Sequence, residues 1–227
     1  MVEFQPSKLA AWVRFPSPAP TPKALETRRF FVIYDRRMRS EMGFFEKQIE
    51  TDTLYKGIIV NVRRDIAVLQ NGNRVQREVV EHPGGVGIVP ITRDNKVLMV
   101  RQYRYPMEEE LLEIPAGKLE GGEDPFECAV RELSEETGCT AGTYVDLGMI
   151  YPSPGFCREV LHIYLALDLE YGQMHLDENE LLSVEAIEID ELMDMIMENG
   201  LRDAKSVIGI MKAKRYLEGP QNAGIWN

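Results

Sequence analysis

Glu132, Glu135 and Glu136 stand at i, i+3 and i+4. On a helix that spacing puts three carboxylates on one face. Like charges so placed repel by about a few tenths of a kcal/mol per pair. A helix that keeps them has use for a cation, and hard divalent ions such as Mg²⁺ take carboxylate oxygens and share substrate phosphates. The bland alternative is a solvated acidic face, the usual fate of a bare E-x-x-E-E.

The surrounding residues favour chemistry. The stretch Gly117 to Cys139 reads GKLEGGEDPFECAVRELSEETGC, a glycine-rich loop running into a helix. Asp124 suits the N-cap, Pro125 the first helical position and Glu127 the third, as in a capping box. Phe126, Ala129, Val130 and Leu133 form an apolar stripe at helical spacing. Gly138 suits the left-handed residue that ends a helix. The helix thus buries one face and offers acids on another.

The spacing is more specific than the acids alone. Gly117, Glu123, Arg131-Glu132-Leu133, Glu135-Glu136 and Gly138 match the Nudix box, G-x5-E-x7-R-E-U-x-E-E-x-G-U. Seven fixed positions arise by chance on the order of once in 10⁹ start sites. Only Cys139 departs, a small apolar residue where a bulky aliphatic is usual. The chain therefore resembles the Nudix hydrolases. Further stretches resemble the ADP-ribose pyrophosphatase branch: Arg101-Gln102-Tyr103-Arg104-Tyr105-Pro106, Glu113-Ile114-Pro115-Ala116-Gly117, Ser153-Pro154-Gly155-Phe156 and Leu176-Asp177-Glu178-Asn179-Glu180. The resemblance covers residues 46–215.

The resemblance implies a fold: α/β (mixed α+β), a mixed sheet sandwiched between helices, with an N-terminal antiparallel strand/hairpin extension. It also implies metal-dependent hydrolysis of the diphosphate of ADP-ribose to AMP and ribose 5-phosphate, with Mg²⁺ or Mn²⁺. Another nucleoside diphosphate sugar, such as GDP-mannose, is the alternative substrate. A non-catalytic nucleotide sensor is the reading from another class, and the intact acid set argues against it. By the same resemblance, Glu132, Glu135, Glu136, Glu180 and the carbonyl of Ala116 are metal ligands. Gly117 permits the tight turn that aims that carbonyl. Arg131 fixes carboxylate orientation, Glu123 stands with it, and Glu178 is the base, with Glu178 and Glu180 interchangeable on sequence alone. Arg104 and Arg101 are candidates for the phosphates. They lie on opposite faces of a strand, and Arg104 is preferred. Glu159 is a candidate contact on the ribose side. Early strands in this branch build a homodimer.

Composition sets the frame. The chain has 227 residues and a net charge of −11, which argues against non-specific nucleic-acid binding. No apolar run spans a membrane and no secretory signal is recognised. Three scattered cysteines, Cys128, Cys139 and Cys157, read as reduced thiols of a cytoplasmic protein. Residues 1–41 hold eight basic against four acidic side chains, with alternating prolines. They read as a poorly ordered extension, unless translation starts at Met42, which an intact mass beginning at Met1 would exclude.

The expected organisation is 42–83 for N-terminal strands, 84–218 for the hydrolase domain and 219–227 for a tail. Strands are expected at 51–62, 66–80 around an Asn71-Gly72 turn, 86–92, 97–103, 111–115, 143–150, 159–167 and 183–189. Helices are expected at 190–199 and 203–217.

Overall fold

The computed structural model describes residues 28–30, 44–176 and 181–219. The strands are β1 (Arg28–Phe30), β2 (Glu46–Lys56), β3 (Asn61–Leu69), β4 (Arg74–Glu81), β5 (Gly85–Pro90), β6 (Lys96–Arg104), β7 (Glu109–Glu113), β8 (Ala116–Lys118), β9 (Cys139–Ile150), β10 (Leu161–Tyr171) and β11 (Leu182–Glu188). The helices are α1 (Pro125–Thr137), α2 (Ile189–Met197) and α3 (Ala204–Leu217).

The central sheet is mixed, in the order β1-β9-β10-β5-β8. In it β10 runs parallel to β5 and antiparallel to β9. All six residues of β5 are buried, as a strand covered on both faces must be. Its alternation divides the core. Val86 and Ile88 pack with Cys128, Ala129 and Leu133 of α1. Val89, one step on, packs with Ile210, Ala213 and Leu217 of α3 and Leu192 of α2. The sheet therefore lies between α1 and α3, the expected sandwich. Burial of a side chain such as Leu133, fully enclosed here, is worth about 1.5–3 kcal/mol.

A second sheet, β11-β6-β7, is antiparallel and carries Arg101 and Arg104 on its middle strand. The third, β2-β3-β4, is antiparallel too. The Asn71-Gly72 turn forms as expected: Gly72 takes a φ of 85° and its amide donates to the Leu69 carbonyl. The extension is three-stranded, a strand beside a hairpin, as expected. The strand expected at 51–62 is broken, because the Gly57 amide donates to the Val60 carbonyl and closes a turn there.

The N-terminal sheet meets the central one at the Ser153–Phe156 loop. Val80 on β4 donates its amide to the Phe156 carbonyl at 2.8 Å and accepts from the Arg158 amide at 2.9 Å. The Glu81 carboxylate stands between Arg63 at 3.2 Å and Arg158 at 3.5 Å. Among the described residues, no helix is long and apolar enough to cross a membrane.

Candidate active site

Helix α1 starts and stops on local signals. The Asp124 carboxylate accepts from the Phe126 amide at 2.9 Å, and Pro125 opens the first turn. The bond therefore reaches the second helical residue rather than the third that a capping box uses. At the other end Gly138 has a φ of 68° and its amide donates to the Ser134 carbonyl. A Cβ on Gly138 would lie 2.8 Å from the Met174 amide nitrogen, so the residue is held to glycine by a close crossing as well as by its backbone angle. The crossing segment is tied to the helix end: the Gly172 amide donates to Gly138 and the His175 amide to the Glu135 carbonyl. It leads toward Glu178 and Glu180, which lie outside the described residues.

The acid face turns toward β8. Glu132 and Glu136 are buried, at 8% and 4% exposed, and Glu135 is half-exposed. Glu136 accepts from the Ala116 amide at 2.9 Å. The preceding Pro115 carbonyl accepts from Ile88 at 2.8 Å, so the peptide unit in front of Ala116 is fixed at both ends. Glu132 lies over Gly117. A Cβ on Gly117 would stand 1.7 Å from Glu132 Oε1 and 2.5 Å from its Cγ. This corrects the expected reason for that glycine. Gly117 sits within β8 and is not among the positive-φ glycines; space for the carboxylate, not a tight turn, excludes a side chain.

Arg131 is the cation the acids keep for themselves. Its Nε and Nη2 reach both oxygens of Glu123, at 2.9 and 3.1 Å. Its Nη1 donates to Glu132 Oε1 at 2.8 Å and Glu135 Oε2 at 2.9 Å. Much of the repulsion expected among the helix acids is thus offset within the chain. The guanidinium holds Glu123 down to about 2, far below the ordinary carboxylate range. Such a group stabilises the fold above its unfolded pKa and loses that contribution as pH falls through the folded value. Stability should therefore drop between about pH 4.5 and pH 2 in the wild type. Acid titration of the melting temperature checks this: Glu123→Gln should flatten the curve in that window.

The two strand arginines part company, as alternation requires. Arg101 pairs with Glu185 on β11, at 2.5 Å from Nε. Arg104 grips Glu113 with both Nε and Nη2, at 2.6 and 2.7 Å. The charge of Glu136 also acts on Arg104, while Arg101 is engaged by Glu185. Glu159 stands 3.5 Å from His82 Nδ1, an atom that already accepts from the Gly84 amide.

Sequence reasoning missed the support behind Arg104. Glu113 is 1% exposed, and it receives a second cation, Lys205 of α3. Lys205 also reaches Asp203, the N-cap of α3, at 3.0 Å. Ser206 accepts from the Ile114 amide at 2.8 Å. The available signals were a charged residue inside the apolar run Leu111–Ile114 and a lysine in the first turn of a helix.

Among the described residues no three acidic, histidine or cysteine side chains form a ready-made metal cluster. The donor chemistry still fits a hard divalent ion: buried carboxylates beside a backbone strand, with oxygen atoms alone on offer. Cys128, the nearest thiol, is buried and raised to about 12 by that burial, so it supplies no thiolate. An acid-bearing helix entered from a glycine loop and laid across a mixed sheet defines a class of oxygen-donor, cation-dependent site.

Comparison with known proteins narrows the class. The family model described as NUDIX domain matches residues 81–207, and the chain belongs to the Nudix family. It is 42% identical over 169 residues to the "Methanol dehydrogenase activator" of Bacillus methanolicus, covering 74% of this chain and 91% of that one. It is 37% identical over 167 residues to the "ADP-ribose pyrophosphatase" of Bacillus subtilis, covering 73% and 90%. A solved structure of an "ADP compounds hydrolase" superposes with a TM-score of 0.69 at 24% identity, over 78% of this chain and 97% of that one; it speaks for the fold.

Proposed function

We propose that the chain hydrolyses the diphosphate of ADP-ribose, giving AMP and ribose 5-phosphate. The observation that carries the reading is the pair of buried carboxylates, Glu132 and Glu136, packed against Gly117 and Ala116 with Arg104 in electrostatic reach. The identity to a relative named for ADP-ribose supports the substrate.

In this reading Glu132, Glu135, Glu136, Glu180 and the Ala116 carbonyl hold Mg²⁺ or Mn²⁺. When bound, such ions neutralise phosphoryl oxygens and lower the pKa of water. Arg131 keeps one oxygen of Glu132 and one of Glu135 engaged, which fixes how both carboxylates face. Arg104 binds the diphosphate. Glu178 takes a proton from the attacking water as the new P–O bond forms and the bridging P–O bond breaks.

Purified protein offered ADP-ribose, GDP-mannose and NADH in parallel, with Mg²⁺ and with chelator, tests the reading. Chelator-sensitive cleavage of ADP-ribose ahead of the others is expected. Preference for GDP-mannose would move the substrate, and no turnover with Mg²⁺, nor with Mn²⁺ in its place, would remove the enzyme reading. Glu178→Gln should lower turnover about a hundredfold or more while Mn²⁺ binding, followed by calorimetry, stays near wild type. A Glu178→Gln enzyme at full rate would show that the base is another residue.

We also infer a homodimer built through the N-terminal sheet. Every residue of β2 is exposed, and Phe44, Phe45, Ile49, Leu54, Tyr55, Ile58 and Ile59 offer apolar surface there to water. A patch of that kind marks an association surface. Ile49→Lys with Leu54→Lys should give a monomer in sedimentation, and turnover should fall with it. A dimer of unchanged strength would exclude this surface. Three free thiols, two of them buried, suit a reducing cytoplasm.

A further inference from the structure

We propose that Lys205 is a positioning residue for Arg104: it neutralises Glu113 from inside the fold, leaving the arginine's charge available to an anionic substrate. The proposal rests on the assignment of Arg104 to the diphosphate.

A carboxylate as deeply buried as Glu113 must be paired. One bidentate guanidinium would be enough for that. Glu113 has two cations instead, Arg104 on both oxygens and Lys205 on Oε2. The two differ in exposure. The Lys205 side chain is 10% exposed and that of Arg104 is 39%. The lysine closes the inner side of the carboxylate while the arginine remains at the water side.

The position of Lys205 is costly for its own helix. It is the second residue of α3, where the positive end of the helix dipole disfavours a cation. Burial adds a desolvation cost. Its ion pair with Asp203 is local and partly offsets this, but Asp203 already caps the helix by accepting from the Ser206 amide at 3.0 Å. A residue that breaks local rules this way points to a demand from elsewhere in the fold. Here the demand is Glu113, 92 residues away in sequence.

The arithmetic of charge gives the consequence. Arg104 and Glu113 alone form a neutral pair, and a phosphate must compete with the carboxylate for the guanidinium. Asp203 stands beside them too, 3.0 Å from Lys205, so without the lysine the cluster is net negative; Lys205 brings it to neutral, and the fork is held in place by Glu113 with less of its charge cancelled. The neighbouring Ser206 bond to the Ile114 amide fixes the same turn of α3 to the strand that leads into Ala116.

The test uses full-length Arg104→Ala, Lys205→Met, Lys205→Arg and the double variant Glu113→Gln/Lys205→Met. Binding of inorganic pyrophosphate in the presence of chelator is measured by calorimetry, with KM and kcat for ADP-ribose and the melting temperature alongside. Lys205→Met should weaken pyrophosphate about tenfold and raise KM similarly, with a smaller effect on kcat. Lys205→Arg should keep most of the affinity. The double variant, having lost the carboxylate's charge too, should return toward wild type. Should Lys205→Met fail to fold, Lys205→Arg and the double variant carry the comparison.

Three results overturn the proposal. One is a folded Lys205→Met that binds pyrophosphate as wild type does. Another is a double variant that folds but binds as weakly as Arg104→Ala, which would make Lys205 merely structural. The third is a wild-type protein that binds pyrophosphate no more tightly than Arg104→Ala does. Failure to cleave ADP-ribose with pyrophosphate binding intact would instead count against the proposed substrate.

Discussion

Glu136→Gln should remove turnover while leaving the fold as stable as before, or more so. The carboxylate is 4% exposed, and a buried charge carries a desolvation cost that a neutral amide of the same shape avoids. The glutamine Oε1 can still accept from the Ala116 amide, the bond made now at 2.9 Å. The backbone of β8 therefore keeps its partner. What is lost is a negative oxygen donor to the cation. A metal's stabilisation of phosphoryl transfer is worth several kcal/mol, so turnover should fall on the order of a thousandfold. Melting and rate should thus move in different directions, or the rate alone should move. A variant that is both unfolded and inactive would mean that Glu136 is chiefly structural.

Gly117→Ala should damage both properties. The new methyl would meet Glu132 at Cγ, Cδ and Oε1, all within 2.5 Å. More than the tip of that side chain must move, yet its carboxylate is held by Arg131 at 2.8 Å and is buried. Overpacking of this sort costs about 1–3 kcal/mol. Displacing a carboxylate from the acid face should also cost roughly a hundredfold or more in rate. Thermal melting and ADP-ribose turnover measure the two effects. Gly117→Ala with Glu132→Ala should recover melting temperature but not activity, because the collision is gone and the acid with it. Wild-type behaviour of Gly117→Ala alone would contradict the packing described for this pair.

These two sites were legible to different degrees. The α1 helix could be read because its signals are local: Asp124, Pro125 and Gly138 lie within one turn of its ends. Its acid spacing survives in the structure, and only the capping bond differs. The strands expected at 86–92, 97–103, 143–150, 159–167 and 183–189 all form, as β5, β6, β9, β10 and β11, and the mixed α/β class holds with them. The turn at Gly57–Val60 was hidden because Ile58, Ile59 and Val60 look like strand interior, whereas Ile58 is fully exposed. The reason for Gly117 was hidden because a close approach between strand and helix leaves no mark in local sequence. The Arg104–Glu113–Lys205 chain was missed for a related reason. Each member reads as an ordinary charged residue until the fold joins two segments far apart in the chain. Glu178 and Glu180 remain proposals on the resemblance.

The N-terminal sheet has a consequence for how the chain reaches its folded state. The strand β2 buries none of its residues within the chain. The sheet's described ties to the central sheet run through Val80 and Glu81. Amide hydrogens of β2 should therefore exchange with solvent sooner than those of β5, whose residues are all buried, because local opening costs less where few contacts are broken. If association covers this sheet, its protection will rise with protein concentration while that of β5 stays constant. Dilution would then loosen the Ser153–Phe156 loop before the central fold gives way, so that loss of order would begin at the edge of the site and not in the core.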